Sequence, residues 1–474
     1  MSRASNLAGF TTAIGVPPSN LNVGVITVTS VSGSVDASNL TGTLPAISGE
    51  NLTSLPAGQL TGALPAIDGS ALTGTGVGTD ANIDTTGIIT ATTIKVSAGG
   101  SFSINNQLYP NEGQLSDRNI IINGAMNIAQ RGTTATLSFS KGYAVDRWGV
   151  KKSGGSVGLS QVALGVTESP GLEGHRNYLR VTNTTGTTGS EDYRYVEQTI
   201  ESRDIVRSGW KYYSPTSFVT LSFWARASVS ADFGLLVAAY DPNPDRHYVL
   251  PLYSLTANTW TKFTYHIPGN ALNTFADDNS KGFVVHFFQY YGSLYAGNTT
   301  GYSQWHNGSW NSILTSAMNT TWSGTNGTTW DLTGVQLEVG DLATRFDHMP
   351  FYKEIEKCKR FYQKTYNYET APGSVTKVGA YLHVSNYSST DGSRVPVRFE
   401  KEMVKAPTVT VYATETGTSG SLSANNAGGG AFQDQNAGAH NIGTKGIGYV
   451  FLNAGGISNA YNSLYFHYAA DAEL

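Results

Sequence analysis

The chain has 474 residues, a formal net charge of −4 and 14% charged residues, too long for one ordinary domain and with no basic stripe to neutralise a run of phosphates. Its single cysteine, Cys358, excludes an intramolecular disulfide and any cysteine-built metal site. Glycine is abundant (54 residues) amid Thr, Ser and Asn, a composition that favours turn-rich all-β structure over helical or doubly wound folds.

The chemistry is unevenly spread. Between Phe10 and Phe102 there is no aromatic residue, and Arg3 and Lys95 are the only basic residues before Arg118. All eight tryptophans lie between Trp148 and Trp330. A segment too poor in apolar mass to build its own core is thus joined to one with aromatic mass to spare, the plan of a stalk carrying a head. Met1–Phe10 has no continuous apolar stretch of the kind a secretory signal needs. Nothing approaches the ~18 apolar residues of a membrane span, so no membrane insertion is expected.

In chain order, residues 1–35 predict one or two strands around Val23–Val28. Residues 36–117 hold a repeat, in which Asn39-Leu-Thr-Gly-Thr-Leu-Pro-Ala-Ile aligns with Gln59-Leu-Thr-Gly-Ala-Leu-Pro-Ala-Ile at an offset of twenty. One copy cannot offset its own ordering entropy, so the spacing predicts a stalk in which several chains, three by preference, bury Leu44, Ile47, Leu64 and Ile67 along a shared axis. Residues 118–349 predict an antiparallel β-sandwich. Val219, Leu221, Phe223 and Ala225 alternate with Thr220, Ser222, Trp224 and Arg226, and Thr261–Ile267 does the same. Further strands are expected at 178–182, 195–200, 233–240, 283–288 and 330–339. Pro350 then opens the one expected helix, with Phe351, Ile355, Cys358 and Tyr362 on its apolar stripe. The rest of 350–474 predicts a small β module with strands at 395–399, 408–412, 446–452 and 464–470, and a Gly/Asn/Ala loop over 424–440.

Two paired signatures stand out. One is Asn119-Ile-Ile-Ile-Asn-Gly-Ala-Met-Asn-Ile-Ala-Gln-Arg-Gly132 followed by Tyr143-Ala-Val-Asp-Arg-Trp148; the other is Leu332-Thr-Gly-Val-Gln-Leu-Glu-Val-Gly340 followed by Ala343-Thr-Arg-Phe346. They resemble the opening and closing of head domains in bacteriophage tail fibre proteins of the marine and cyanobacterial phage type, and the tail Tyr465-Phe-His-Tyr-Ala-Ala-Asp-Ala-Glu-Leu474 resembles the C-terminal module of such fibres. The resemblance implies a carbohydrate-binding-module-like, jelly-roll-like sandwich, a virion location after synthesis in the host cytoplasm, and a homotrimer. It further implies an N-terminus that attaches to other phage tail proteins, and host surface polysaccharide or lipopolysaccharide as partner. Read from the residues alone, the motifs look structural: Ile120–Ile122 as a strand, Asn123-Gly124 as a tight turn, and Asp146 with Arg147 as a bidentate pair beside Trp148.

No catalytic motif survives inspection. Gly154-Gly-Ser-Val-Gly158 matches a nucleophile elbow in letters but has no strand-to-helix context, and no glycine cluster carries the Lys-Ser/Thr of a phosphate loop. No histidine pair has metal-ligand spacing, and Asp241-Pro-Asn-Pro-Asp245 fits a turn better than a calcium loop. No cofactor, metal or nucleic acid is expected. Residues 287–325, where rings alternate with Gly, Asn, Ser and Thr, are the expected glycan platform, with Tyr290, Tyr291, Trp305 and Trp310 as stacking rings. The leading expectation is a non-enzymatic fibre protein that binds a surface glycan. The competing ones are a tail-spike depolymerase, which needs paired carboxylates, and a spacer or adaptor without recognition chemistry.

Overall fold

The chain divides into Met1–Thr92 and Thr93–Leu474. A computed structural model describes residues 103–104, 107–108, 113, 115–137, 141–240, 245–297, 301–307, 320–384, 394–426, 430–452 and 461–474. The first unit, with Leu44, Ile47, Leu64 and Ile67, lies outside the described residues, as do Trp310 and residues 241–244.

The described part is mainly β. A two-stranded ribbon, β1 (Ser103–Ile104) and β2 (Gln107–Leu108), precedes the sandwich strands β3 (Thr134–Leu137), β4 (Lys141–Gly142), β5 (Gly149–Lys152), β6 (Ser156–Ala163), β7 (Asn177–Thr185) and β8 (Tyr193–Glu201). They continue as β9 (Phe218–Ala227), β10 (Ala231–Ala239), β11 (Arg246–Leu255), β12 (Thr261–Pro268), β13 (Lys281–Tyr291), β14 (Gln304–Asn307) and β15 (Thr329–Val339). One sheet runs β14-β11-β10-β13-β8-β5-β4 and the other β12-β9-β15-β7-β6-β3, all pairs antiparallel. Between them lie Leu221, Phe223 and Ala225 from β9, Val285 and Phe287 from β13, and Trp148 and Trp330. The alternation read in 219–226 puts the apolar side chains on the face towards the core, while on the other face Thr220 and Ser222 are buried as well and Trp224 and Arg226 half-buried.

The expected helix is α4 (Phe351–Lys359), entered directly after Pro350, with Cys358 buried and its thiol pushed well up by burial. It is not alone: α1 (Ser169–Leu172), α2 (Ser202–Val206) and α3 (Thr320–Gly324) are one-turn helices in loops that sequence periodicity is too short to reveal. The C-terminal module comprises β16 (Tyr362–Lys364), β17 (Tyr381–Val384), β18 (Arg394–Arg398), β19 (Thr408–Ala413), β20 (Ser421–Asn426), β21 (Gln433–Gly443), β22 (Gly446–Leu452) and β23 (Tyr461–Asp471). Strand β23 is its spine, with β16 and β17 along one edge and β19 and β20 along the other. Strands β20 and β21 occupy most of 424–440, which corrects the expected loop there.

The opening and closing signatures meet in space. Ile120 N donates to Leu337 O at 2.9 Å, Asn119 Nδ2 to Val335 O at 3.0 Å, and Val335 N to Gly124 O at 2.9 Å. Ile120–Ile122 therefore do not form a strand of their own; they lie along β15 and turn at Asn123. Asn123 is the knot of this turn. Its amide nitrogen donates to Ile128 O and Asp146 O, both at 2.9 Å, and its amide oxygen accepts from Ile128 N at 3.0 Å. Its carbonyl accepts from Trp148 Nε1 at 2.9 Å, and its backbone N–H donates to Glu354 of α4.

The expected Asp146–Arg147 pair is replaced by two others. Asp146 accepts from Gln130 and pairs with Arg131 at 3.3 Å, while Arg147, at φ +73°, points elsewhere to Glu473 and the carbonyl of Thr199. Adjacent residues that diverge in this way cannot chelate each other. They tie the sandwich to the C-terminal module instead, as Arg360 does by gripping Glu201 through two nitrogens.

Candidate functional site

The register of the seven-stranded sheet defines its outer face residue by residue. Paired residues in antiparallel strands point to the same side, so Val249, Leu236, His286 and Glu197 form one outward row across β11, β10, β13 and β8. A second row joins His306, His247, Ala238, Val284 and Thr199, and a third joins Gly234, Phe288, Tyr195 and Lys151. These rows form an aliphatic layer with a histidine and a carboxylate at its centre, rings at one end and lysines at the β4–β5 edge, and every member named but Lys151 and His306 is buried.

Glu197 is 2% exposed and His286 3% exposed. Glu197 Oε1 meets Lys141 Nζ at 3.1 Å and Lys151 Nζ at 3.2 Å, and Oε2 lies 3.5 Å from His286 Nδ1. Burial on its own would raise the Glu197 pKa, but His286 and the lysines Lys141, Lys151 and Lys281 hold it at about 2. Burial drives His286 down to about 3 against the pull of Glu197, so the ring is neutral at ordinary pH and the lysines do the holding there. Lys281, lowered to about 8 chiefly by burial, sits with its ammonium 3.3 Å from the centre of the Tyr240 ring. Tyr193 stacks on Tyr195 at 5.5 Å and meets Tyr295 edge-on at 5.8 Å. Tyr193, Tyr240, Lys151 and Lys281 are half-buried and form the accessible rim.

The expected platform residues are distributed differently. A bulge between Phe288 and Tyr290 shifts the register of β13, so Tyr291 pairs with Tyr193 on the outer face while Tyr290 pairs with Arg194 on the opposite side. Tyr291 packs edge-on to Phe288 at 5.6 Å. At 2% and 1% exposure, Tyr290 and Tyr291 have no ring face free for a sugar, which corrects their placement as surface rings. Trp305 on edge strand β14 is turned to the core side, 5.3 Å from Tyr248, and donates through Nε1 to Pro268 O at 3.0 Å. His286 reads from the sequence as an ordinary sheet residue, and Glu197, Tyr193, Tyr240 and the three lysines carry no local signal, because grouping them needs the register. The one trace in the sequence is charged residues within otherwise apolar strands.

Two concavities elsewhere are already satisfied internally. A cavity of about 290 Å³ beside Gly113, Arg118 and Arg360 has these cations paired with Glu338 and Glu201. A groove beside Tyr362 and Tyr412 holds Arg131, which binds Asp146, Asp471 and Glu473. Among the described residues no cluster of His, Cys, Asp and Glu could hold a metal ion, and no helix is long and apolar enough to cross a membrane. Gly154 and Gly155, both at positive φ, turn the chain from β5 in one sheet to β6 in the other, so the elbow-like letters are a strand-to-strand turn.

No protein-family model matches the sequence, and no curated protein matches it. Among solved structures, the chain is similar to the enzymatically active domain of tailspike protein 4 of bacteriophage CBA120, with 11% identity and a TM-score of 0.26, over 47% of this chain and 21% of that one. It is also similar to a xylan-binding domain from Paenibacillus barcinonensis (14% identity, TM-score 0.22, 45% and 99% covered). A third likeness is to a family 11 carbohydrate-binding module from Clostridium thermocellum in complex with a mixed-linked tetrasaccharide (15%, 0.21, 44% and 96%). At such TM-scores the sandwich stands on the strand order and register given above.

Proposed function

We propose that this chain is a non-enzymatic fibre protein of a bacteriophage tail that adsorbs to its host by binding a surface glycan, polysaccharide or lipopolysaccharide, through the sandwich. The observation that carries this reading is the rim of the seven-stranded sheet, where half-buried Tyr240 with Lys281 stands at one end of β13 and half-buried Tyr193, stacked on Tyr195, at the other, on either side of the buried Glu197 centre. Tyrosine faces stack on the C–H faces of sugar rings, and ammonium groups and hydroxyls bond sugar oxygens. The carboxylate and lysines behind the rim are held by one another, so little ordering cost falls on binding.

A non-enzymatic role agrees with the state of Glu197. A glycosidase acid needs a carboxyl raised towards neutrality, facing a second carboxylate. Glu197 is held near 2 by cations and cannot donate a proton at neutral pH. Virion location, attachment of residues 1–35 to other tail proteins and assembly as a homotrimer belong to the same proposal, and rest on the stalk-and-head layout and the paired signatures. Neither nucleic acid nor membrane insertion has a part in it.

Glycan-array binding by the wild type, Tyr193→Ala and Tyr240→Ala tests the site. Loss of a stacking ring is expected to weaken binding by ~1–3 kcal/mol while the melting temperature holds. Full binding by both variants would rule this face out.

A further inference from the structure

The C-terminal module carries a second ring-and-cation surface. On the outward side of β18, β22 and β21, Arg394 pairs with Phe451, Phe451 with Gly438, and Tyr449 with His440. The His440 and Tyr449 rings stack at 5.2 Å and 19°, and Phe451 stands edge-on to both, at 6.1 and 6.4 Å. The Arg394 guanidinium lies 5.3 Å from the Tyr449 ring centre and 5.9 Å from that of Phe451. Position 438 decides the shape. Being glycine, it leaves no side chain beside Phe451, and the His440 ring lies next to it: a Cβ there would lie 3.2 Å from His440 Nε2. Arg394, His440 and Arg398 are exposed, and Tyr449 and Phe451 are half-buried. Arg394 and Arg398 make no salt bridge with any described carboxylate, although most arginines of this chain do.

We infer that the outer face of β18–β22–β21 is a second glycan-binding site, selective for a carboxylate-bearing sugar unit. The inference rests on the reading that this chain binds glycans, but uses a module that the sandwich site does not touch. The sugar ring lies against Phe451 and Tyr449, its carboxylate takes the two-nitrogen edge of Arg394, and His440 bonds a hydroxyl. A neutral ligand would leave the guanidinium without a counter-charge, and a small inorganic anion would leave the rings uncovered.

The test is calorimetric titration of the full chain with oligogalacturonate, with the carboxyl-reduced oligomer as control. Wild-type binding should be at least tenfold tighter for the acidic oligomer and weaken with salt. Arg394→Ala and Gly438→Val should each lose at least tenfold with an unchanged melting temperature, while Leu272→Ala, at an exposed position outside both sites, keeps the wild-type affinity. Should Gly438→Val misfold, Phe451→Leu removes the stacking face in its place. Absence of binding to the acidic oligomer, equal binding of both oligomers, or indifference to Arg394→Ala overturns the second site and leaves the sandwich reading standing. Loss in Tyr240→Ala alone assigns the acidic glycan to the sandwich and equally overturns it.

Discussion

Asn123 uses both ends of its side-chain amide inside the fold and leaves none of it to solvent. Asn123→Ala would strip partners from Ile128 N, Ile128 O and Asp146 O at a buried site, with an expected cost of ~2–4 kcal/mol in urea unfolding. Glu197 makes the matching prediction in pH. Its folded pKa of about 2 lies below the ordinary 4.5, so its contribution is fully present above pH 4.5 and is lost as pH falls towards 2. Glu197→Gln should therefore flatten the acid limb of the stability curve in that window; an unaltered limb would show that the cluster does not hold the carboxylate. Neither residue advertised its role. Asn123 was legible as a turn residue because Asn-Gly is a local signal. Its partners at 128, 146 and 354, like the lysines around Glu197, are set by tertiary register that no local pattern carries.

Strands whose two faces differ in polarity announced themselves, and the others did not. The alternation of apolar and polar residues through Val219–Ala225 placed β9 and its neighbour β12, because apolar side chains fill the face towards the core and polar ones the other. Strand β11 was missed since both of its faces are largely buried and Pro251 interrupts it, and β21 since Ala437, Ala439 and Ile442 are its only apolar residues. The bulge in β13 is the costliest omission: one extra residue between Phe288 and Tyr290 sets which of Tyr290 and Tyr291 faces outward, and both are buried. The joint between the two signatures offers a test at this scale. A Cβ on Gly124 would lie 2.0 Å from Val335 O, a backbone atom that cannot swing aside. Gly124→Ala should destabilise by at least ~2 kcal/mol, and a neutral result would mean that segment 119–124 does not seat against β15.

On the scale of the molecule, the sandwich and the C-terminal module share residues as well as a border. Ile121 packs in the sandwich core while its neighbour Ile122, with Ile128, packs in the second core beside Cys358 and Phe361. Cooperative unfolding of residues 118–474 in a single transition is the expected outcome, and two separated calorimetric transitions would refute the coupling. The proposed trimer predicts a mass of three chains by light scattering at micromolar concentration, whereas a single-chain mass would remove it. The most direct test of the central proposal is to incubate the purified protein with isolated bacterial surface polysaccharides and follow both retention of the protein and the length of the polymer. The proposal predicts saturable retention on at least one polysaccharide, reduced in Tyr193→Ala and Tyr240→Ala, with polymer length unchanged; progressive shortening of the polymer, or retention on none, would contradict it.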